Sequence, residues 1–328
     1  MGGRSRIRGA TRSAALALAA GLVVLASQAT SLGDPRPVWP HPDHYLLSDG
    51  CRLNARGIGD CGPLIGAAVG GNSDPAPLEQ QLGRGLAVRR TYYQADQLDA
   101  AVATAAQDLA AGRIPWLSFK LPYSWPEMAA GRGDAWARGV AAAMDRLPGP
   151  VWVAFHHEPE NDQPDIGAWR ATQEHLGPLL RAGAPNAAFT VILTGWNQFH
   201  GPSHFSLSEI WPDTTVDLAG FDLYASASGG VGLSAEQFTR TYLSSLANWA
   251  TTKGVAWGLA ETGIDDQMAV VYPTWIQQVS RGLADAGGLC LVYFDSSLNS
   301  TSSWPLHTPA KFADFRAAIS GSPSLPPR

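Results

Sequence analysis

Cysteine is scarce in this chain, with three in 328 residues. Cys51 and Cys61 flank the polar loop 52–60, ahead of the first apolar run. In an oxidising compartment such a pair is expected to close a disulfide. A metal pair is the competing reading, but no third or fourth ligand stands at a suitable spacing. Cys290 lies inside an apolar run and reads as a buried free thiol. Excess charge is lacking too. The net charge of −5 gives no reason to expect nucleic acid or an anionic membrane as partner. Beyond residue 29 no run is long and apolar enough to cross a bilayer. No phosphate loop is present, because Gly66-Ala67-Ala68-Val69-Gly70-Gly71 fits neither nucleotide pattern. There is no sequence repeat and no sign of a second domain.

The first segment reads as a targeting signal. Arg4, Arg6, Arg8 and Arg12 form a basic start, and Ala14 to Ala26 is apolar throughout. Ser27-Gln28-Ala29 offers small residues for cleavage, so residues 1–29 are expected to be a signal peptide. A retained anchor is the alternative, although the run is short for a spanning helix. No cysteine follows it, which argues against a lipoprotein. The protein is expected to be secreted or at the cell surface, with no stable membrane insertion after cleavage. Residues 30–63 form an N-terminal extension that opens on the proline-rich stretch Ser31 to Pro42. The end, residues 321–328, reads as a disordered tail, and a monomer is expected.

From residue 64 the chain alternates. Apolar runs expected as strands are Leu64–Val69, Leu86–Arg90, Ile114–Phe119, Val151–Phe155, Ala188–Leu193, Val216–Phe221, Val255–Ala260 and Leu289–Phe294. Helical patterns lie between them, such as Gln97–Ala111, Ala135–Leu147 after Asp134, and Thr274–Ala286 before Gly287-Gly288. Alternating elements imply a parallel sheet. Eight repeats between residues 64 and 320 match an α/β fold of one kind, a single (β/α)₈ TIM barrel. An open doubly wound sheet is the runner-up, and it usually carries the phosphate loop missing here.

In a (β/α)₈ barrel the active site sits at the C-terminal strand ends. Polar and aromatic residues recur there: Arg89-Arg90-Thr91-Tyr92-Tyr93, Lys120 and then Trp125, His156-His157-Glu158, Trp196-Asn197, Asp222-Leu223-Tyr224, Glu261, and Asp295. Two strands that each end on a glutamate, Glu158 and Glu261, suggest glycoside hydrolysis by a carboxylate pair. Bland readings compete. His156 and His157 could form a metal pair, but neighbours on a strand point opposite ways. Glu158 could be an ion-pair partner of Arg89 or Arg90. Trp125 and Trp196 could be core. Twelve tryptophans are many for this length, and those on loops are candidates for stacking on sugar faces. Asn299-Ser300-Thr301 is a glycosylation sequon, a triplet that also arises by chance.

Phe155-His156-His157-Glu158, Gly220-Phe221-Asp222-Leu223-Tyr224 and Leu259-Ala260-Glu261-Thr262-Gly263 resemble motifs of glycoside hydrolase family 26. That family contains many β-mannanases and belongs to a clan of (β/α)₈ retaining glycosidases. The resemblance covers residues 64–320 as strand order and is specific at those three motifs. It implies Glu158 as acid/base, Glu261 as nucleophile, and Tyr224 as the phenol that orients Glu261. His157 stands where most of the clan carries asparagine, and Asp222 falls in a Gly-x-Asp-x-Tyr pattern. Ala154 stands where the family usually carries arginine. His157, Asp222 and Tyr224, with Tyr92, Trp125, Trp196 and Asn197, make up the expected substrate-binding set. The expected partner is a β-linked polysaccharide or oligosaccharide, β-mannan first, with no metal and no cofactor. A β-glucanase or xylanase of the same clan, or a catalytically silent carbohydrate-binding barrel, are the alternatives.

Overall fold

The computed structural model describes residues 41–162, 165–227, 233–298, 300 and 302–328. The expected signal segment, most of the proline-rich stretch, and the sequon residues Asn299 and Thr301 lie outside the described residues. Two short strands come first, β1 (His44–Leu46) and β2 (Arg52–Asn54). The next eight are β3 (Leu64–Val69), β4 (Val88–Tyr93), β5 (Ile114–Phe119), β6 (Val151–Phe155), β7 (Ala187–Leu193), β8 (Leu218–Ala225), β9 (Ala256–Ile264) and β10 (Cys290–Asp295). They pair in parallel in chain order, and β10 returns to β3 to close the barrel.

The helices are α1 (Ala76–Leu82), α2 (Leu98–Ala110), α3 (Trp125–Ala129), α4 (Asp134–Asp145), α5 (Ile166–Gly183), α6 (Trp196–His200), α7 (Leu207–Ile210), α8 (Ala235–Phe238), α9 (Ser244–Lys253), α10 (Asp266–Val271), α11 (Trp275–Asp285) and α12 (Pro309–Ile319). This is the expected single (β/α)₈ barrel. Its strands read as nearly unbroken apolar runs because both faces are buried. β6 is buried at every position. Outward-facing Phe119 and Phe155 pack on Trp136 of α4. Inside, Trp116 meets Trp152 edge to face at 5.1 Å and donates Nε1–H to Thr190 Oγ1 at 2.9 Å. That pair plugs the barrel below the cleft. Gly66 faces β4 so closely that a Cβ there would collide with the Val88 carbonyl.

The floor of the barrel is sealed by the two ends of the described chain. β1 and β2 pair antiparallel, and a Cys51–Cys61 disulfide ties their hairpin down. Arg56 from the following loop donates to the carbonyls of Arg181, Ala184 and Ala187, and Trp152 Nε1 donates to the Arg56 carbonyl. Residues 321–328, expected as a disordered tail, pack against the same floor instead. Ser322 Oγ accepts from Ile65 N–H at 2.7 Å, Leu325 is buried, and Arg328 N–H donates to Ala110. The proline- and serine-rich composition of the tail hid this, because its anchors are single hydrogen bonds without periodicity. Cys290 is free and buried.

Candidate active site

Strand parity decides which side chains reach the barrel mouth. On β4, Arg89 points outward, where it pairs with Asp108 of α2 at 3.1 Å. Arg90 and Tyr92 point inward. Arg90 is fully buried, donates to Asp222 of β8 at 2.8 Å and forms an ion pair with Glu261 of β9 at 3.3 Å. Burial alone would weaken its proton affinity. Asp222, Tyr92 and Glu261 more than offset that, so the guanidinium stays charged.

Glu261 reaches the same centre through a bulge. Phe221 faces Leu259 across the β8–β9 ladder, yet Asp222 faces Glu261, so Ala260 is one extra residue on β9. The register against β10 also shifts here. A bulge re-aims the side chain that follows it. Ala260 packs inside the barrel near Gly220, and Glu261 follows it inward to the cleft. Tyr92 donates to Glu261 Oε1 at 2.6 Å, and Tyr224 donates to Oε2. Burial pushes both phenols well above their ordinary range, so they act as donors. Two phenol donors and the ion-paired Arg90 guanidinium thus converge on this carboxyl group.

Glu158 arrives differently. β6 ends at Phe155, and the next residues leave the strand in strained steps. His156 has φ +57° and Glu158 φ +49°, conformations that cost a non-glycine residue about 1–3 kcal/mol each. His156 N–H still bonds Phe119 of β5 at 2.8 Å, whereas Glu158 N–H bonds Ile192 of β7 at 3.0 Å. This twist sends His156 out of the cleft, onto Asp162 at 2.6 Å and edge-on to Trp125. His157 and Glu158 line the cleft. Burial, then the charge of Glu261, pushes the Glu158 carboxyl up to about 8, with Arg90 acting in opposition. At neutral pH Glu158 therefore holds a proton. Asn161 donates to its Oε2 at 3.2 Å. His157 is held well below its usual range by burial, then by Arg90, Lys120 and His156, and is a neutral imidazole.

The cleft over these residues encloses about 830 Å³. Gly70, Gly71 and Asn72 form one wall, Gln94 and Gln97 another, and Lys120 and Asp162 close the rim as an ion pair. Phe294 and Trp304 supply apolar surface, with the Trp304 ring tilted 34° against Tyr224 at 4.7 Å. Among the described residues, no group of three or more His, Cys, Asp or Glu is arranged to hold a metal.

Solved structures with this architecture are known. An endo-β-1,4-mannanase double mutant from Cellulomonas fimi matches with a TM-score of 0.58 at 16% identity, over 81% of this chain and 72% of that one. The catalytic domain of a GH26 endo-β-1,4-mannanase from Bacillus sp. JAMB-750 matches at 0.58 and 14%, over 79% and 86%. A GH5-4 broad-specificity endoglucanase from an uncultured bacterium matches at 0.55 and 11%, over 76% and 85%. The chain shares their fold. No protein-family profile and no curated protein matches it.

Of the residues expected from sequence, Glu158, Glu261, His157, Tyr92 and Tyr224 meet on the cleft. Asp222 does not face it. It lies buried beneath, where burial raises its carboxyl and Arg90 works against that. Trp125, Trp196 and Asn197 are not among the cleft-lining residues. A capping box at Ser124 and Glu127 folds Trp125 into α3 and onto His156. Gly195, at φ +69°, turns the chain into α6. There Trp196 is 43% exposed beside His200, and Asn197 bonds Thr194 Oγ1. In the sequence Arg90 stands only among the strand-end residues and as an alternative ion-pair partner of Glu158, and nothing there marks Asn161, Gln97 or Trp304 as site residues. Parity with Tyr92 could have found Arg90. Trp304 lies in an irregular loop and leaves no periodic signal.

Proposed function

We propose that the chain is a retaining glycoside hydrolase that cleaves a β-linked glycan. The observation that carries this is the division of roles between two carboxyls on one cleft. The Glu158 carboxyl is raised to about 8 by burial and the charge of Glu261, while Glu261 accepts from two phenols and is ion-paired with Arg90. In the first step Glu261 attacks the anomeric carbon, the glycosidic C–O bond breaks, and Glu158 gives its proton to the departing oxygen. In the second, Glu158 takes a proton from water, which displaces Glu261 and restores both groups. Tyr92, Tyr224 and Arg90 keep Glu261 fixed, and Trp304 and Phe294 offer apolar faces to a sugar ring.

β-Mannan is the first candidate substrate. The family 26 motifs support it, and so does the likeness to structures described as endo-β-1,4-mannanases. A β-glucan is the second, supported by the endoglucanases of similar fold. The basic and apolar segment at 1–29 and the disulfide support export. The deciding experiment incubates purified protein with β-mannan, β-glucan and xylan and follows the product anomer by NMR. Release of the β-anomer first is expected. Intact, folded protein that hydrolyses none of them would sink the reading.

A further inference from the structure

The backbone at Glu158 is in a conformation that a glutamate does not hold unaided. Its φ of +49° and that of His156 at +57° persist only where the surroundings over-determine them. Upstream, β5 holds His156 through the Phe119 carbonyl. Downstream there is a single 3₁₀ turn, Pro159–Asn161, too short to be self-supporting. Glu160 sits in that turn, and its side chain is not part of the cleft lining. Its Oε1 accepts from Thr194 N–H at 3.2 Å and from Gln198 Nε2 at 2.6 Å. Gln198 is itself fastened to the Phe205 carbonyl at 3.1 Å. A carboxylate from the loop after β6 is thus bolted to the loop after β7.

We propose that Glu160 is the positioning residue for the acid: by anchoring its turn to Thr194 and Gln198, it fixes the direction of Glu158 into the cleft. The inference rests on reading Glu158 as the acid/base. Glu160 itself touches no substrate, so its loss should be felt through Glu158, where the leaving group needs a proton.

The test compares kcat/KM on two substrates with one glycone, a dinitrophenyl glycoside and an unactivated oligosaccharide. This ratio reports glycosylation. Dinitrophenolate departs without a proton, whereas a sugar alkoxide does not. Glu160→Met removes both acceptor oxygens at similar side-chain length. It is expected to lose about 10²-fold on the oligosaccharide, the loss typical of a group displaced by an ångström, and to stay within about threefold of wild type on the dinitrophenyl glycoside. Glu160→Gln keeps one acceptor oxygen and should recover most of the loss. Gln198→Met should show the same asymmetry to a smaller degree, and it carries the comparison if Glu160→Met does not fold. An equal loss on both substrates means a purely structural role and overturns the proposal, as does no loss on either. Glu158→Gln serves as the control. If wild type turns over but Glu158→Gln shows no leaving-group asymmetry, the acid assignment itself has failed. If Glu158→Gln shows it and Glu160→Met does not, only the role of Glu160 has failed.

Discussion

Glu158 and Glu261 make different demands on their surroundings, and two experiments separate them. With Glu158→Ala, an activated aryl glycoside should still glycosylate the enzyme, and turnover should stall at deglycosylation. Azide should rescue it, giving a glycosyl azide of retained configuration. With Glu261→Ala no covalent step is possible, so azide rescue should give the inverted product. The opposite stereochemistry would exchange the roles. The second experiment uses pH. The acid form of Glu158 must be present for glycosylation, so kcat/KM should fall as pH rises through about 8, with a single-proton slope. The same shift has a sign for stability. A carboxyl whose folded pKa lies above its unfolded value near 4.5 binds more protons when folded. Its contribution is therefore fully present below pH 4.5 and is lost as pH rises to about 8. At about 1.4 kcal/mol per unit, that is a few kcal/mol. Glu158→Gln should gain stability relative to wild type between pH 5 and pH 8 in urea melts. A flat difference over that range would count against the buried acid.

At the scale of elements, the site depends on two irregularities, the β9 bulge at Ala260 and the left-handed exit from β6. The bulge needs close contact inside the barrel. Gly220 is the clearest case, since a Cβ there would lie 2.8 Å from the Ala260 Cβ and 2.9 Å from Trp116. Gly220→Ala should cost about 1–3 kcal/mol by overpacking and lower kcat, because the strain falls on the bulge that aims Glu261. A variant as stable and active as wild type would show that the bulge yields freely. The eight barrel strands were legible from the sequence because buried parallel strands are apolar throughout. Their C-terminal limits were legible for β3, β5, β6 and β7, but not for every strand. β4, β8 and β9 run on to Tyr93, Ala225 and Ile264, past the point where polar residues break the hydrophobic pattern. Arg90, Tyr92, Tyr93, Tyr224 and Glu261 in those strands line the cleft. Glu158, Glu261, Tyr92 and Tyr224 are legible because each follows closely on an apolar run. Arg90 shares the inward parity of Tyr92, but the adjacent Arg89 hides which of the two arginines turns inward. Trp196 does not line the cleft, because the turn at Gly195 carries it into α6, and an aromatic after a strand says nothing about which way the loop turns.

At the scale of the molecule, the floor of the barrel carries its own stabilisation. Closing the short loop between Cys51 and Cys61 should contribute about 3 kcal/mol on the chain-entropy account. Reduction should lower the melting temperature without changing kcat, since the hairpin lies at the far end from the cleft. Thiol titration of the denatured, unreduced protein should find one thiol, Cys290. Three would remove the disulfide. His41 bonds the end of α4, and Arg328 bonds Ala110 at the end of α2, so both ends of the described chain leave from that floor. A linker attached at either point, to a bead, a fluorophore or a second module, would therefore leave the mouth of the cleft pointing away from the attachment. An immobilised preparation should retain its activity toward even a long, insoluble chain.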